Sequence, residues 1–275
     1  GWKLLASGIL NNVWNQLYQV VIGRCYTSST LGHYTRANEC ASIFSSNLTT
    51  IIQRVTFPVL SELQDDKKKL LLSYRKLIKV SMFVTVICMF ALGAMAEPMI
   101  YSLIGPQWHQ AATFLPFICI TMSLYPLHAI NLNMLQVQGR SDLFLYLEIV
   151  KKIITLIPIF IGAFVGVYWM LCASIFTGFI AFLLNSWFTG KFLNYSSWQQ
   201  LKDVLPSYLI ALFIGFIVYL LKFLPLSYNL IFPLQILATI IVGWIVNRII
   251  NLEEYCEIKN IVLTVIKKYG KKFNH

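Results

Sequence analysis

Eight long apolar segments occupy almost the whole chain, at about 4–23, 37–60, 77–96, 108–135, 143–166, 168–189, 204–224 and 229–249, with short polar stretches between them. A bilayer core takes about 20 mostly apolar residues per helix. Inside hydrocarbon every backbone N–H and C=O has to be satisfied within the protein, which leaves helices and closed barrels. Segments this long, with so little alternation, predict helices. The expected fold class is an all-α integral membrane protein: a bundle of about eight transmembrane helices over 1–250, then a basic amphipathic tail at 251–275. In that tail Ile258, Ile261, Val262 and Val265 share one face with lysines opposite, as in a helix lying at a membrane surface.

The polar positions that interrupt the pattern are the candidates for chemistry. The first segment carries Asn11, Asn12, Asn15, Gln16 and Gln19: positions 11, 15 and 19, with 12 and 16 beside them, fall in one stripe at helical spacing. Amides facing lipid are costly, so this stripe faces other helices or a hydrated path. Five amides on one face exceed what interhelical hydrogen bonding requires, which favours the path. The second segment carries Glu39 in one half and Arg54 in the other. Ionisable groups within a span are functional candidates, although Arg54 is also placed to reach the headgroups along its own stem. Pro116 and Pro126 predict a kinked fourth span, which also holds His128, a satisfied interhelical histidine or a group titrating near neutrality. In the fifth segment Glu148, Lys151 and Lys152 stand at i, i+3 and i+4, so the acid can pair with either lysine. They mark either an amphipathic helix start in the interface or the cationic wall of a cavity. Gly162 and Gly166 form a small-xxx-small pair suited to close helix packing. Trp187, Phe192, Tyr195, Trp198, Tyr208 and Trp244 read as an aromatic belt at the interfaces.

Composition sharpens this picture. Hydrophobic residues make up 57% of the 275 and charged residues 12%, against roughly a quarter charged in a soluble domain. With eight spans, Lys67, Lys68, Lys69, Arg75, Lys76, Lys79, Arg140, Lys191, Lys202, Arg248 and the lysines of the tail fall on one side, and Arg24, Arg36 and Lys222 on the other. Cytoplasmic loops carry the Lys/Arg excess, so both ends of the chain are expected in the cytoplasm. The net charge of +11 therefore reads as topology and contact with anionic membrane lipids, and not as nucleic-acid binding. Six scattered cysteines without a CxxC read as small buried hydrophobes. There is no phosphate-binding GxxxxGK[ST] loop, no HExxH and no GxSxG, so neither ATP hydrolysis, a catalytic metal nor a cofactor is expected. The chain begins with Gly1 in a helix-like stretch, and a further N-terminal portion is expected.

Four stretches together carry a resemblance: WKLLASGILNNVWNQLYQVVIG, LGHYTRANECASIFSSNLTTIIQRVTFPVLSELQDD, MAEPMIYSLIGPQWHQAATFLPFI and LNMLQVQGRSDLFLYLEIVKK. In order and spacing they resemble the polysaccharide transporter (Wzx-type) flippases of the multidrug/oligosaccharidyl-lipid/polysaccharide exporter superfamily, over residues 1 to about 190. The resemblance implies the second helical bundle of a MATE-like flippase, with a first bundle missing or supplied by a partner. It implies translocation of an undecaprenyl-pyrophosphate-linked oligosaccharide across the bacterial inner membrane for lipopolysaccharide, capsule or exopolysaccharide assembly, alongside polysaccharide polymerase machinery. Chemistry then nominates Arg24, Arg36, Arg54, Lys151 and Lys152 for the diphosphate and Asn11, Asn15, Gln19 and Trp14 for the sugars, with Glu39 and His128 as coupling groups. Alternating access by rocking of two bundles is the expected mechanism.

A multidrug or small-molecule exporter of the same superfamily is the nearest alternative, and it would want an acidic cavity. A membrane-embedded polymerase or acyltransferase would want a large external loop with paired His or Asp. A structural subunit would want the amide stripe packed and dry.

Overall fold

The computed structural model describes Leu17, residues 19–250 and Tyr255. Asn11, Trp14, Asn15 and most of the first segment, like the amphipathic tail, lie outside the described residues. After a helical stretch at 19–25 come nine α-helices: α1 Ser28–Glu62, α2 Lys67–Ala94, α3 Ala96–Leu103, α4 His109–Ser123, α5 Tyr125–Val137, α6 Ser141–Phe164, α7 Val167–Leu193, α8 Ser197–Leu220 and α9 Tyr228–Ile250. Short 3-10 turns at Pro106–Trp108 and Leu221–Phe223 complete the described secondary structure, and no strand occurs among the described residues.

The helix starts are locally encoded. The Thr27 hydroxyl accepts from the Thr30 N–H at 3.2 Å, and the Asp66 carboxylate accepts from the N–H groups of Lys68 and Lys69, both at 3.1 Å. Ser196 and Gln199 form a capping box before α8. Each cap satisfies backbone donors that the first helical turn leaves free. The cap at Thr27 makes α1 begin nine residues ahead of the expected span at 37, so the stretch read as an external turn is already helix.

Among the described residues, five helical stretches are long and apolar enough to cross a membrane: Lys67–Ala94, Pro106–Val137, Val167–Leu193, Ser197–Phe223 and Tyr228–Val246. The two long helices outside this set, α1 and α6, are the ones with the polar positions noted above. α2 packs along α8, α6 along α7, and α1 along α4 and α5. Two buried apolar clusters form the interior. One joins Tyr34, Ala41, Met89, Leu115, Met170 and Ile214. The other joins Leu60, Tyr74, Met82, Ile130, Phe182 and Val204. Lipid tails are as apolar as leucine, so what holds the helices together is close packing and interhelical hydrogen bonding.

Polar ties clasp the bundle at both ends. At one end Arg75 grips Asp203 by two hydrogen bonds of 2.8 and 2.9 Å, and the Tyr195 hydroxyl donates to the same carboxylate at 2.5 Å. At the other end Glu97 pairs with Lys222 and accepts from the Tyr228 hydroxyl at 2.8 Å. Tyr195 and Tyr208 therefore depart from the expected aromatic belt: Tyr195 is buried and bonded to Asp203, and the Tyr208 hydroxyl lies 3.0 Å from that of Ser123. A phenol drawn into the interior needs a partner for its O–H, and buried Tyr195 and half-buried Tyr208 both find one inside the bundle. Trp187, Trp198 and Trp244 remain exposed, at 60, 63 and 51%. Gly162 does serve close packing, since a Cβ there would meet the Met170 Sδ at 2.7 Å. Gly166 serves a different purpose: its φ of +149° makes the turn into α7.

Candidate functional site

α1 presents one polar face. Tyr34, Asn38, Ser42, Ser46, Thr49 and Gln53 recur at three- and four-residue steps, which keeps them in line along a helix. Opposite stands α6 with Glu148, Lys151, Lys152 and Thr155, and α7 adds Ser174 and Thr177. Between them lies a cavity of about 650 Å³, open on one side and walled further by α4 and α5 through Ile118, Thr121, Met122, Tyr125, His128 and Leu132. Gln19 reaches it from the helical stretch before α1. α2, α8 and α9 contribute nothing to the wall, and form an apolar backing.

The cavity lies beside a break in the fourth span. Pro116 is accommodated inside α4, whereas the chain bends at Leu124, the residue that ends α4 and precedes α5. Pro126 has no N–H to offer the carbonyl of Met122, four residues earlier. Ser45 of α1, fully buried, donates its hydroxyl to that carbonyl at 2.9 Å.

The charged groups of the cavity wall all come from α6. Lys151 donates to Glu148, one turn away, and the side chains are only 14 and 6% exposed. The sequence left both lysines open as partners for Glu148, and packing selects Lys151. The His128 ring lies with Nδ1 3.2 Å from the Asn185 Nδ2. Thr49 also carries a buried hydroxyl without a hydrogen-bond partner.

Of the residues nominated from sequence, Gln19, His128, Lys151 and Lys152 meet in this wall. Arg24, Arg36, Arg54 and Glu39 do not line it. All four are exposed, with Arg36 bound to Glu39 at 2.9 Å and stacked 5.6 Å from the Trp108 ring centre. Sequence reading passed over the α1 stripe because it weighed formal charge. The signal was nonetheless present in the spacing of Asn38, Ser42, Ser46, Thr49 and Gln53.

An all-α bundle with five membrane-length apolar stretches is a multi-pass membrane protein. Its relatives are specific. Residues 1–113 match a family described as Polysaccharide biosynthesis protein. The chain is 25% identical over 181 residues to an uncharacterized membrane protein in the cps region of Klebsiella pneumoniae, covering 62% of this chain and 37% of that one. It is 25% identical over 162 residues to the lipopolysaccharide biosynthesis protein WzxC of Escherichia coli K12, covering 59% of this chain and 33% of that one. It thus spans little more than a third of the length of these curated relatives. In structure it is similar to the lipid II flippase MurJ in an inward closed conformation, with a TM-score of 0.61 at 15% identity, over 87% of this chain and 53% of that one. At that identity the likeness is one of fold. The resemblance to the polysaccharide transporter family read from the sequence is borne out.

Proposed function

We propose that this chain forms one helical bundle of a transporter that flips an undecaprenyl-pyrophosphate-linked oligosaccharide across the bacterial inner membrane, from the inner to the outer leaflet, for polysaccharide assembly. The observation that carries this reading is the pair of adjacent lysines, Lys151 and Lys152, in the wall of a polar cavity within an otherwise apolar bundle. Charge at membrane depth is expensive and marks a substrate or ion path. Here the sum over the acids and lysines lining the cavity is positive, two lysines against Glu148, which suits a diphosphate better than the cations of a multidrug exporter. The amide and hydroxyl face of α1 suits sugar hydroxyls.

Transport fits the site better than catalysis does. The cavity's histidine lies against Asn185, and among the described residues no hydroxyl or carboxylate is bonded to it in the arrangement of a nucleophile and its base. In this reading a second bundle, lying outside the chain or in a partner, closes the open side of the cavity, and the two rock about it. Both ends of the chain lie in the cytoplasm, following the Lys/Arg bias.

The test is complementation. The chain is expressed with the N-terminal bundle of a relative in a strain lacking its own O-antigen flippase, and surface polysaccharide is measured. Export is expected, with loss in Lys151→Ala and Lys152→Ala at normal membrane levels. Arg36→Ala and Arg54→Ala, outside the cavity, should leave export intact. Rescue indifferent to both lysines would remove the cavity from the mechanism.

A further inference from the structure

The cavity contains one group that an anion-binding site does not need. Glu148 is 4% exposed, lines the wall, and is bound to Lys151 within the same helix. Lys152, the next residue, lines the same wall and stands in the field of the same carboxylate, whose hydrogen bond goes to Lys151. A buried carboxylate beside the cations that would hold a phosphate must weaken that hold.

We propose that Glu148 is a built-in competitor for the ligand's phosphate: it occupies Lys151 while the cavity is empty, so that only a diphosphate, able to engage Lys151 and Lys152 together, is held firmly, and is still released. The proposal rests on the diphosphate reading above and adds to it how a diphosphate is told from a single phosphate and which residue does so.

The argument is one of charge exchange. A ligand that takes Lys151 away from Glu148 leaves a carboxylate buried and uncompensated, and breaking a buried pair in this way is strongly unfavourable. A single phosphate group reaching Lys151 replaces one anion by another and gains little. A diphosphate also reaches Lys152, which Glu148 attracts only through its charge, so its second phosphoryl group makes a new pairing without breaking a second hydrogen-bonded one. Consecutive residues on a helix point about 100° apart, since a turn takes 3.6 residues, so the two ammonium groups approach a ligand from different directions. Lysine is suited to such an exchange, because it binds phosphate as a point charge without the fixed two-pronged geometry of arginine. A moving substrate also has to leave: a path that binds too tightly does not conduct. Glu148, returning to Lys151, supplies the displacement.

The experiment uses the full chain purified in detergent, titrated calorimetrically at low ionic strength with inorganic pyrophosphate and, separately, inorganic phosphate. Wild type is expected to prefer pyrophosphate. Glu148→Gln keeps the shape of the side chain and frees Lys151. It is expected to tighten both anions at least tenfold, to narrow the preference between them, and to reduce polysaccharide export in the complementation strain despite the tighter binding. Lys151→Gln is expected to weaken both anions, and Lys152→Gln to bring pyrophosphate down towards phosphate. If Glu148→Gln binds no more tightly than wild type while both lysine variants weaken binding, Glu148 merely supports Lys151; the competitor proposal is then overturned and the anionic reading stands. If pyrophosphate binding is indifferent to all three substitutions, both fail. Thermal unfolding is followed in parallel. Should Glu148→Gln fail to fold, Glu148→Asp, which draws the carboxylate back from Lys151, has to shift both affinities in the same direction by a smaller factor, and an unchanged affinity there overturns the proposal as well.

Discussion

Ser45 donates to the carbonyl of Met122 at 2.9 Å, joining the middle of α1 to the bend between α4 and α5. The partner that a continuous helix would have supplied to that carbonyl is residue 126, a proline. The bond therefore holds the corner on which Met122, Tyr125 and His128 stand in the cavity wall. Interhelical hydrogen bonds in membranes average about 0.6 and reach about 1.7 kcal/mol. Ser45→Ala is expected to destabilise the bundle within that range in denaturant titrations of the detergent-solubilised protein. Ser45→Leu should cost more, because a fully buried serine leaves no room for the added carbons. A Ser45→Ala variant as stable as wild type would mean that the bend holds itself.

Asn131 ties four helices together. Its Oδ1 accepts from Tyr74 at 2.8 Å, Thr189 at 2.5 Å and Gln200 at 3.4 Å, while its Nδ2 donates to the Leu127 carbonyl at 2.8 Å and to Gln200 at 3.1 Å. All four side chains are fully buried. Asn131→Leu keeps the approximate volume and removes the partner of the Tyr74 hydroxyl and of the Gln200 amide, while Thr189 keeps the Asn185 carbonyl at 2.8 Å, an imbalance worth about 1–3 kcal/mol. Unfolding should shift accordingly. The Tyr74→Phe/Asn131→Leu double variant should be less destabilised than the sum of the single changes, because its stranded hydroxyl is gone.

Glu97, before the first turn of α3 closes, is pulled in two directions. Burial raises its pKa, but hydrogen bonds from Lys222 and Tyr228, together with the charge of Lys222, outweigh it and hold the carboxyl below its ordinary value. A carboxyl with a depressed folded pKa adds stability that is fully present above the unfolded value, about 4.3 for glutamate, and is lost as pH falls through the folded one. Wild type is thus expected to lose stability on acidification below that value, while Glu97→Gln shows a flatter profile over the same interval. Melting temperatures measured in steps from neutral to acid pH decide it, and parallel profiles would mean that the carboxylate gains nothing from Lys222 and Tyr228.

Much of this protein was legible without coordinates because hydrocarbon imposes so narrow a choice. Long apolar runs have to be helices, so the helical class and the broad positions of α2, α6, α7, α8 and α9 follow from residue order alone. Proline marked the kinked span, and the 148–151–152 spacing marked the ion pair in the cavity wall, since both effects act within a single helix. What spacing along one helix cannot express is which neighbour it faces. Arg36 and Lys151 are both cations in polar surroundings, yet one lies exposed against Glu39 and the other lines the cavity. The contrast arises from how α1 is turned when it packs on α4 and α5: its stripe from Tyr34 to Gln53 turns inward, and Arg36 and Arg54 turn away. The choice of Lys151 as partner of Glu148, the bond from Ser45 to Met122, the burial of Tyr195 and the contact of Tyr208 with Ser123 are likewise results of tertiary packing. Residue order alone determined that this is a helical membrane protein with cations where lipid would exclude them. Only the rotation and docking of the helices decided which of those cations share a cavity, because that depends on contacts between residues far apart in the chain.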